Sequence, residues 1–590
     1  MPEGETQLRA IRIDVQSFHS TSFDMSVLPG APFAMHNYSG PVVLGKTTDY
    51  DTPREVYLWV RYTGTSAGDV ASGTAQVRCT TTGQLFDVTI TANTISRPTA
   101  AMVLVLDQSG SMLDPSGVGT MTREQVLRFS AGIVVDYIRE HNALGMVTFD
   151  EDPHDLLVPV AGPFGDPGDP FDTARTSART ALSSYAANPF GLTAIGDGIE
   201  RGHNVLAGVG GYDKNALIVF TDGFETAPKY IADVAALIDD EVFAVGLGTA
   251  NELNPAALND ICNDHGGYLL LTDALDADDT FKLAKYFLQI QAGVNNEDVV
   301  VDPSGYVAPG QKVIVPFVLN EADISADAIV LLPFQDVLDV AVQTPQGDMI
   351  DEANVASFPT ITRVIRPNMT YYRMTLPVDD GGMVHAHAGT WNLILTVDPK
   401  MFKRYLSVLR DGPDKAYLDA VAHGVRYTAL VHTYSNLRMA CSLSQDSYQP
   451  GAKLLLRCLL TEYGQPLQGT ASVRAALTLP DGSASTLNLT GVGAGAYEAT
   501  VTAAIPGVYQ FVVSATGSTA RHTPFTRQQV VTGAVWRGGD TPPPHSGGDT
   551  TQGAFCHLLG CLARSLSPEL KERLAKDGWS VDELLKCTCS

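Results

Sequence analysis

Met102-Val103-Leu104-Val105-Leu106-Asp107-Gln108-Ser109-Gly110-Ser111 is the stretch from which the fold follows. Its apolar half has the length of a buried strand and falls far short of the roughly 18 residues that span a bilayer. It stops at a carboxylate, two hydroxyls and a glycine, which is turn composition. A helix is expected next, over about 122–140, with Val126, Phe129, Ile133, Val134 and Tyr137 on one face. Thr122 and Gln125 have the spacing of a capping box at its start.

Further apolar strands read at 145–149, 216–220, 242–247 and 268–271, with helical stretches near 193–205, 230–238 and 279–290. Strands alternating with helices predict a doubly wound, Rossmann-like α/β domain with a mostly parallel sheet over 98–293. On either side the pattern changes to period-2 alternation. Before it, Val56, Leu58, Val60 and Tyr62 share one strand face, and Phe86, Val88 and Ile90 another, which predicts a β-sandwich over 1–97. After it, Val313, Val315, Phe317 and Leu319, then Trp391, Leu393, Leu395 and Val397, predict a second sandwich over 294–398. A helical connector is expected over 399–432 and a third sandwich over 433–532, with a turn at Pro480-Asp481-Gly482 and strand entries at Gly495-Tyr497 and Gly507-Tyr509. A Gly/Pro-rich linker at 533–553 then tethers a short helical, cysteine-containing tail at 554–590. The fold class is therefore multidomain, α/β plus all-β.

Asp107-Gln108-Ser109-Gly110-Ser111 resembles the opening of the metal-ion-dependent adhesion site of the von Willebrand factor type A (VWA) family. Asp and Ser in a turn are common and cap backbone there without any metal, so this motif alone is weak. Gly191-Leu192-Thr193-Ala194-Ile195-Gly196-Asp197-Gly198 resembles the family's second loop, and Thr221-Asp222-Gly223 its third. All three fall where strands are expected to end or helices to start, and open α/β sheets bind ligands in the crevice beyond their strand ends. The resemblance implies Asp107, Ser109, Ser111, Thr193 and Asp222 as the metal set, with Asp222 in the outer shell. Carboxylate and hydroxyl oxygens suit Mg²⁺, with Mn²⁺ or Ca²⁺ as alternatives. It also implies one coordination position left for an Asp or Glu carboxylate of a partner protein. Flanking modules of immunoglobulin-like type fit a bacterial-type multidomain scaffold.

A length of 590 residues calls for several domains, and 44% apolar with 18% charged residues describes a globular chain. A formal net charge of −26 without a basic patch argues against nucleic acid. The bland reading of that acidity is solubility. No transmembrane run is present. The first residues show no signal peptide, which favours the cytoplasm, whereas the sandwich modules are more typical of exported or cell-surface proteins. His-Glu-x-x-His, the phosphate-binding P-loop and Gly-x-Ser-x-Gly are all missing, so binding is expected and catalysis is not. His385 and His387 are a weak zinc pair, read more simply as surface residues.

Cys79, Cys262, Cys441 and Cys458 read as buried thiols, the last two facing each other if their strands are neighbours. Cys556, Cys561, Cys587 and Cys589 admit a metal cluster, disulfides or lipid attachment. Two functions stand at this point. In the first, the metal captures a partner carboxylate for adhesion or scaffolding. In the second, the chain is an assembly subunit whose metal only stiffens the loops while the sandwiches make the contacts.

Overall fold

The computed structural model describes residues 6–540 apart from 36–37, 47–53, 96–97, 167, 170, 251, 277–278, 380–383, 386, 411–413, 463–464, 468 and 520–521. The helical tail, its four cysteines and most of the expected linker lie outside the described residues. No described helix is long and apolar enough to cross a membrane.

Seven strands form the N-terminal sandwich: β1 (Thr6–Val15), β2 (Thr21–Val27), β3 (Phe33–Met35), β4 (Val42–Leu44), β5 (Arg54–Thr63), β6 (Val70–Cys79) and β7 (Leu85–Asn93). One antiparallel sheet runs β1-β5-β3 and the other β4-β2-β6-β7. Val56, Leu58, Val60 and Tyr62 are buried, as their alternation predicts. The second expected face is only half covered: Phe86 is 40% exposed, because β7 is an edge strand with little packed against its outer end.

The central unit has six strands: β8 (Ala100–Asp107), β9 (Ala143–Phe149), β10 (Pro153–Ala161), β11 (Lys214–Thr221), β12 (Glu241–Gly246) and β13 (Leu269–Leu271), in the order β10-β9-β8-β11-β12-β13. All neighbours are parallel except the β9–β10 pair. The helices are α1 (Arg123–Tyr137), α2 (Thr173–Ser183), α3 (Ile195–Ala207), α4 (Ile231–Val234), α5 (Pro255–Asp264) and α6 (Lys282–Val294). Successive side chains of a strand point to opposite faces. Met102, Leu104 and Leu106 of β8 accordingly pack with Leu127, Val134, Phe287 and Ile290 of α1 and α6. Ala101, Val103 and Val105 pack on the other face with Ile199, Val234 and Leu258.

Thr122 and Gln125 form the expected capping box, with 3.3 and 3.1 Å reciprocal bonds. Gly198 lets α3 lie close to the sheet, since a Cβ there would stand 2.6 Å from the Phe149 ring. The expected helix at 230–238 is a single α turn followed by a 3-10 turn.

Beyond α6 the two expected C-terminal sandwiches share one sheet. It runs through the strands Ile361–Arg366, Met369–Thr375, Asp323–Leu331, Val425–Ser435, Glu297–Val301, Pro524–Val535, Gly507–Ser518, Thr470–Thr478 and Ala484–Asn488. Smaller sheets cover its two ends, centred on Gly389–Val397 and Ala452–Glu462. In the first, Phe317 stacks on Trp391 at 6.2 Å. The connector corrects the sequence reading: Pro399–Leu409 and Asp414–His423 are helical, but 425–432 belongs to the strand Val425–Ser435, apolar enough to sit mid-sheet. The linker is corrected too, because Val535 ends a strand, Trp536 packs on Tyr448 at 5.6 Å, and the Asp540 carboxylate accepts from the Tyr448 amide and the Ser447 hydroxyl.

The long sheet is also the seat of the α/β unit. Ile133, Tyr137, Ala284 and Leu288 of α1 and α6 pack on Ile329, Leu331, Met369, Tyr371 and Leu430. Helix α6 is thus covered on two sides, by its own sheet and by the long one. The Gln289 amide pairs with both backbone groups of Val530, each at 2.9 Å. The Thr532 hydroxyl bridges the edge strand β13, accepting from Leu271 N at 2.9 Å and donating to Leu269 O at 3.2 Å. Gln289→Ala therefore leaves a buried N–H and C=O without partners and lowers stability by about 2–4 kcal/mol in urea denaturation.

Candidate metal centre

Asp107 ends β8 and Asp222 follows β11, so two of the sequence motifs lie at the carboxyl ends of parallel strands, and Thr193 lies at the start of α3. Ser109 immediately precedes a 3-10 turn, Gly110–Leu113, that carries Ser111. Asp107 is fully buried; one of its carboxylate oxygens accepts from Ser109 N and the other from the Thr221 hydroxyl, each at 2.8 Å. The Ser109 and Ser111 hydroxyls are 3.0 Å apart, and Ser111 donates to Asp222 Oδ1 at 2.7 Å. Four of the five expected residues therefore form one hydrogen-bonded chain.

Thr193 joins through the backbone of its loop. Gly110 N donates to Gly191 O at 3.0 Å, and Thr193 N is fixed by the Thr226 hydroxyl at 2.9 Å. Gly191 is needed for this approach, since a Cβ would come within 2.7 Å of the Asp150 Cβ.

Several residues of the centre escaped the sequence reading. Asp150, just past the end of β9, accepts from Gln108 Nε2 at 2.9 Å and from Asn188 Nδ2 at 3.0 Å, and its carbonyl accepts from Ala194 N at 2.8 Å. It binds the first loop to the second. Tyr185 donates to the Asp107 carbonyl. Arg123, at the first position of α1, donates to Asp222 Oδ2 at 2.9 Å and lies 3.4 Å from Glu252. The only signal that Asp150 offered was its place after an apolar strand. Arg123 offered none, since it meets a residue 99 positions away.

The electrostatics are those of two carboxylates taken out of water together. Burial, and then the charge of Asp222, push the Asp107 carboxyl up to about 7, against the hydrogen bonds from Ser109 and Thr221. Burial also raises Asp222, with the Arg123 guanidinium opposing it. The donor set fits a hard divalent cation: two buried carboxylates, with the charge of Asp107 disfavoured by burial and by Asp222, and the Ser109 and Ser111 hydroxyls. The formal charge of the set is less negative than two carboxylates alone suggest, because Arg123 adds one positive charge at its rim.

Among the described residues one other ligand cluster is distinct from this centre. His203, Asp239 and Asp240 bring three ligand atoms within 4.8 Å, but at the amino end of β12, with Asp239 88% exposed. His387 corrects the zinc-pair reading of surface histidines: it is buried, bonded through Nε2 to the Asn320 carbonyl at 2.9 Å. The side chain of His385 lies outside the described residues.

Residues 101–282 match the family model of the von Willebrand factor type A domain. This stretch is a VWA domain. VWA domains commonly bind a divalent metal and often take part in protein–protein interaction. Solved structures similar to the chain include a von Willebrand factor type A protein from Catenulispora acidiphila, at 11% identity and a TM-score of 0.27, covering 76% of this chain and 74% of that one. The ArnB paralog VWA2 from Sulfolobus acidocaldarius is 10% identical over 88% of this chain and 86% of its own, with a TM-score of 0.23. The PilB minor pilin from Streptococcus sanguinis is 13% identical over 47% and 87%, with a TM-score of 0.29. No curated protein matches the chain.

Proposed function

We propose that the VWA domain is a metal-dependent protein-binding module in which Asp107, Ser109, Ser111, Thr193 and Asp222 hold Mg²⁺ and a partner protein supplies an Asp or Glu carboxylate. The single observation that carries this is the meeting of two buried carboxylates with the Ser109 and Ser111 hydroxyls in one chain of contacts at the strand ends. When bound, the cation supplies an electrophilic oxygen-binding position. The chain's own residues do the rest: Thr221 and Ser109 N orient Asp107, Arg123 orients Asp222, and Asp150 fixes the spacing of the first two loops. The flanking sandwiches act as immunoglobulin-like modules that seat the domain, and the role is binding without catalysis.

Arg123 tunes the site in this reading. Its guanidinium competes with the cation for Asp222, so Arg123→Gln tightens Mg²⁺ binding about tenfold, or ~1.4 kcal/mol, in calorimetric titration. Unchanged or weaker Mg²⁺ binding in that variant rejects the competition.

The assembly-subunit alternative draws on the seating of α1 and α6 against the long sheet. The two readings separate in a capture experiment with the full chain immobilised and lysate from its native source passed over it. Capture that needs Mg²⁺, disappears with chelator and is lost in Asp107→Ala supports the adhesion reading. Capture that ignores both chelator and substitution supports the assembly subunit.

A further inference from the structure

We propose that Cys441 and Cys458 form a disulfide across the antiparallel pair Leu437–Gln445 and Ala452–Glu462. The two residues stand directly opposite each other in register. Antiparallel pairs alternate between those that exchange backbone hydrogen bonds and those that do not, and in the latter the Cα atoms approach to about 4.5 Å. The Cys441 amide settles which kind this is. It donates to the Gln529 side-chain oxygen at 2.8 Å, away from the neighbouring strand. The pair is therefore of the close type, and its Cα separation falls inside the window of about 4.4–6.8 Å that a disulfide spans without backbone movement. Both side chains lie on the face that carries the buried Met439, Leu456 and Leu460, at 7% and 0% exposure, so they meet in a dry layer with little freedom to turn apart.

The reaction is thiol–disulfide exchange with a small disulfide such as oxidised glutathione. One cysteine thiolate attacks the sulfur–sulfur bond, forming a mixed disulfide and expelling one small thiolate. The second cysteine displaces the other. Two protein thiols become one disulfide, two electrons pass to the reagent, and the thiol protons leave on its two halves. Burial and the neighbouring thiol push the Cys441 thiol well up, so the closed sheet is a poor place for the attack. Leu437–Gln445 is the outer strand of its sheet, and exchange takes place as that strand docks or transiently opens. The product staples an outer strand that also carries Arg438, paired with Asp298 at 2.9 Å.

The sequence provides a direct test. Trypsin cleaves after Arg438, Lys453, Arg457 and Arg474, which puts the two cysteines on the separate peptides 439–453 and 458–474. The full chain is refolded with oxidised glutathione, its remaining thiols are alkylated, and it is digested without reductant. The expected result is a linked pair of these peptides by mass spectrometry, lost on reduction, while in Cys458→Ser peptide 439–453 carries an alkylated Cys441. Recovery of the two wild-type peptides as separate alkylated species, or of either joined to a different cysteine, overturns the proposal.

Discussion

Replacing Asp327 with alanine lowers the stability of the chain by about 3–5 kcal/mol, the cost of breaking a buried ion pair on one side. Asp327 lies on the strand Asp323–Leu331, fully buried where the VWA domain meets the long sheet. It accepts from Tyr137 at 2.8 Å, Arg139 at 3.0 Å and Arg373 at 3.1 Å. Without it the carboxylates left to the two buried guanidiniums among the described residues are Glu297, 2.5 Å from Arg139, and Glu140, 2.7 Å from Arg373. Asp327→Asn, which retains an acceptor but no charge, shares most of the loss. Denaturant unfolding measures both, and a change under about 0.5 kcal/mol in the alanine variant contradicts this account of the junction.

The same cluster makes the junction acid-labile. Burial pushes Asp327 up, but the Arg139 and Arg373 guanidiniums overcome it and hold the carboxyl well below the usual range. That contribution is present above about pH 4, the ordinary aspartate value, and is lost as pH falls toward the depressed folded value. His432, beside Tyr137, is pushed down to about 4 by burial, from an ordinary value of 6.5. The unfolded chain takes that proton first, so stability falls by about 3 kcal/mol between pH 6.5 and 4. His432→Leu flattens the loss in that window, while the part belonging to Asp327 remains.

The second large effect is at the centre itself: Asp107→Asn abolishes the stabilisation that Mg²⁺ confers. A ligand bound only by the folded chain adds about 2.7 kcal/mol at a hundredfold excess over its dissociation constant. Asparagine keeps an oxygen for Ser109 N, at 2.8 Å in the parent, but removes one of two mutually repelling buried carboxylates. Without metal, then, the variant melts no lower than the parent at pH 8. With Mg²⁺ the parent gains in melting temperature and the variant does not. A variant that melts far lower without metal shows Asp107 to be a structural residue first.

Much of this was legible locally. The apolar run before Asp107 and the three loops marked the centre because each is a short contiguous signal, two read against a strand end and the third against a helix start. The capping box of Thr122 and Gln125 was equally local. What was not legible depends on distant partners. Tyr137 reads as a core position of α1, and nothing in its surroundings says that its hydroxyl serves Asp327. Arg123 looks like an ordinary first-turn residue. Helix α2 was missed because Arg175, Ala178 and Leu182 are its only buried residues, too few to write a helical stripe. The single long sheet was hidden because Val425–Ser435, buried on both faces but carrying Arg426, Thr428 and His432 among its apolar residues, followed two helices and read as part of their connector. His387 looked like half of a surface pair, yet its ring is spent on a backbone carbonyl in the interior.

Calorimetric titration of the chelator-stripped full chain with Mg²⁺, repeated with Mn²⁺, tests the metal centre most directly. The account predicts one ion bound per chain, with uptake lost in Asp107→Asn. Absence of uptake for both ions, or uptake undiminished by that substitution, contradicts it.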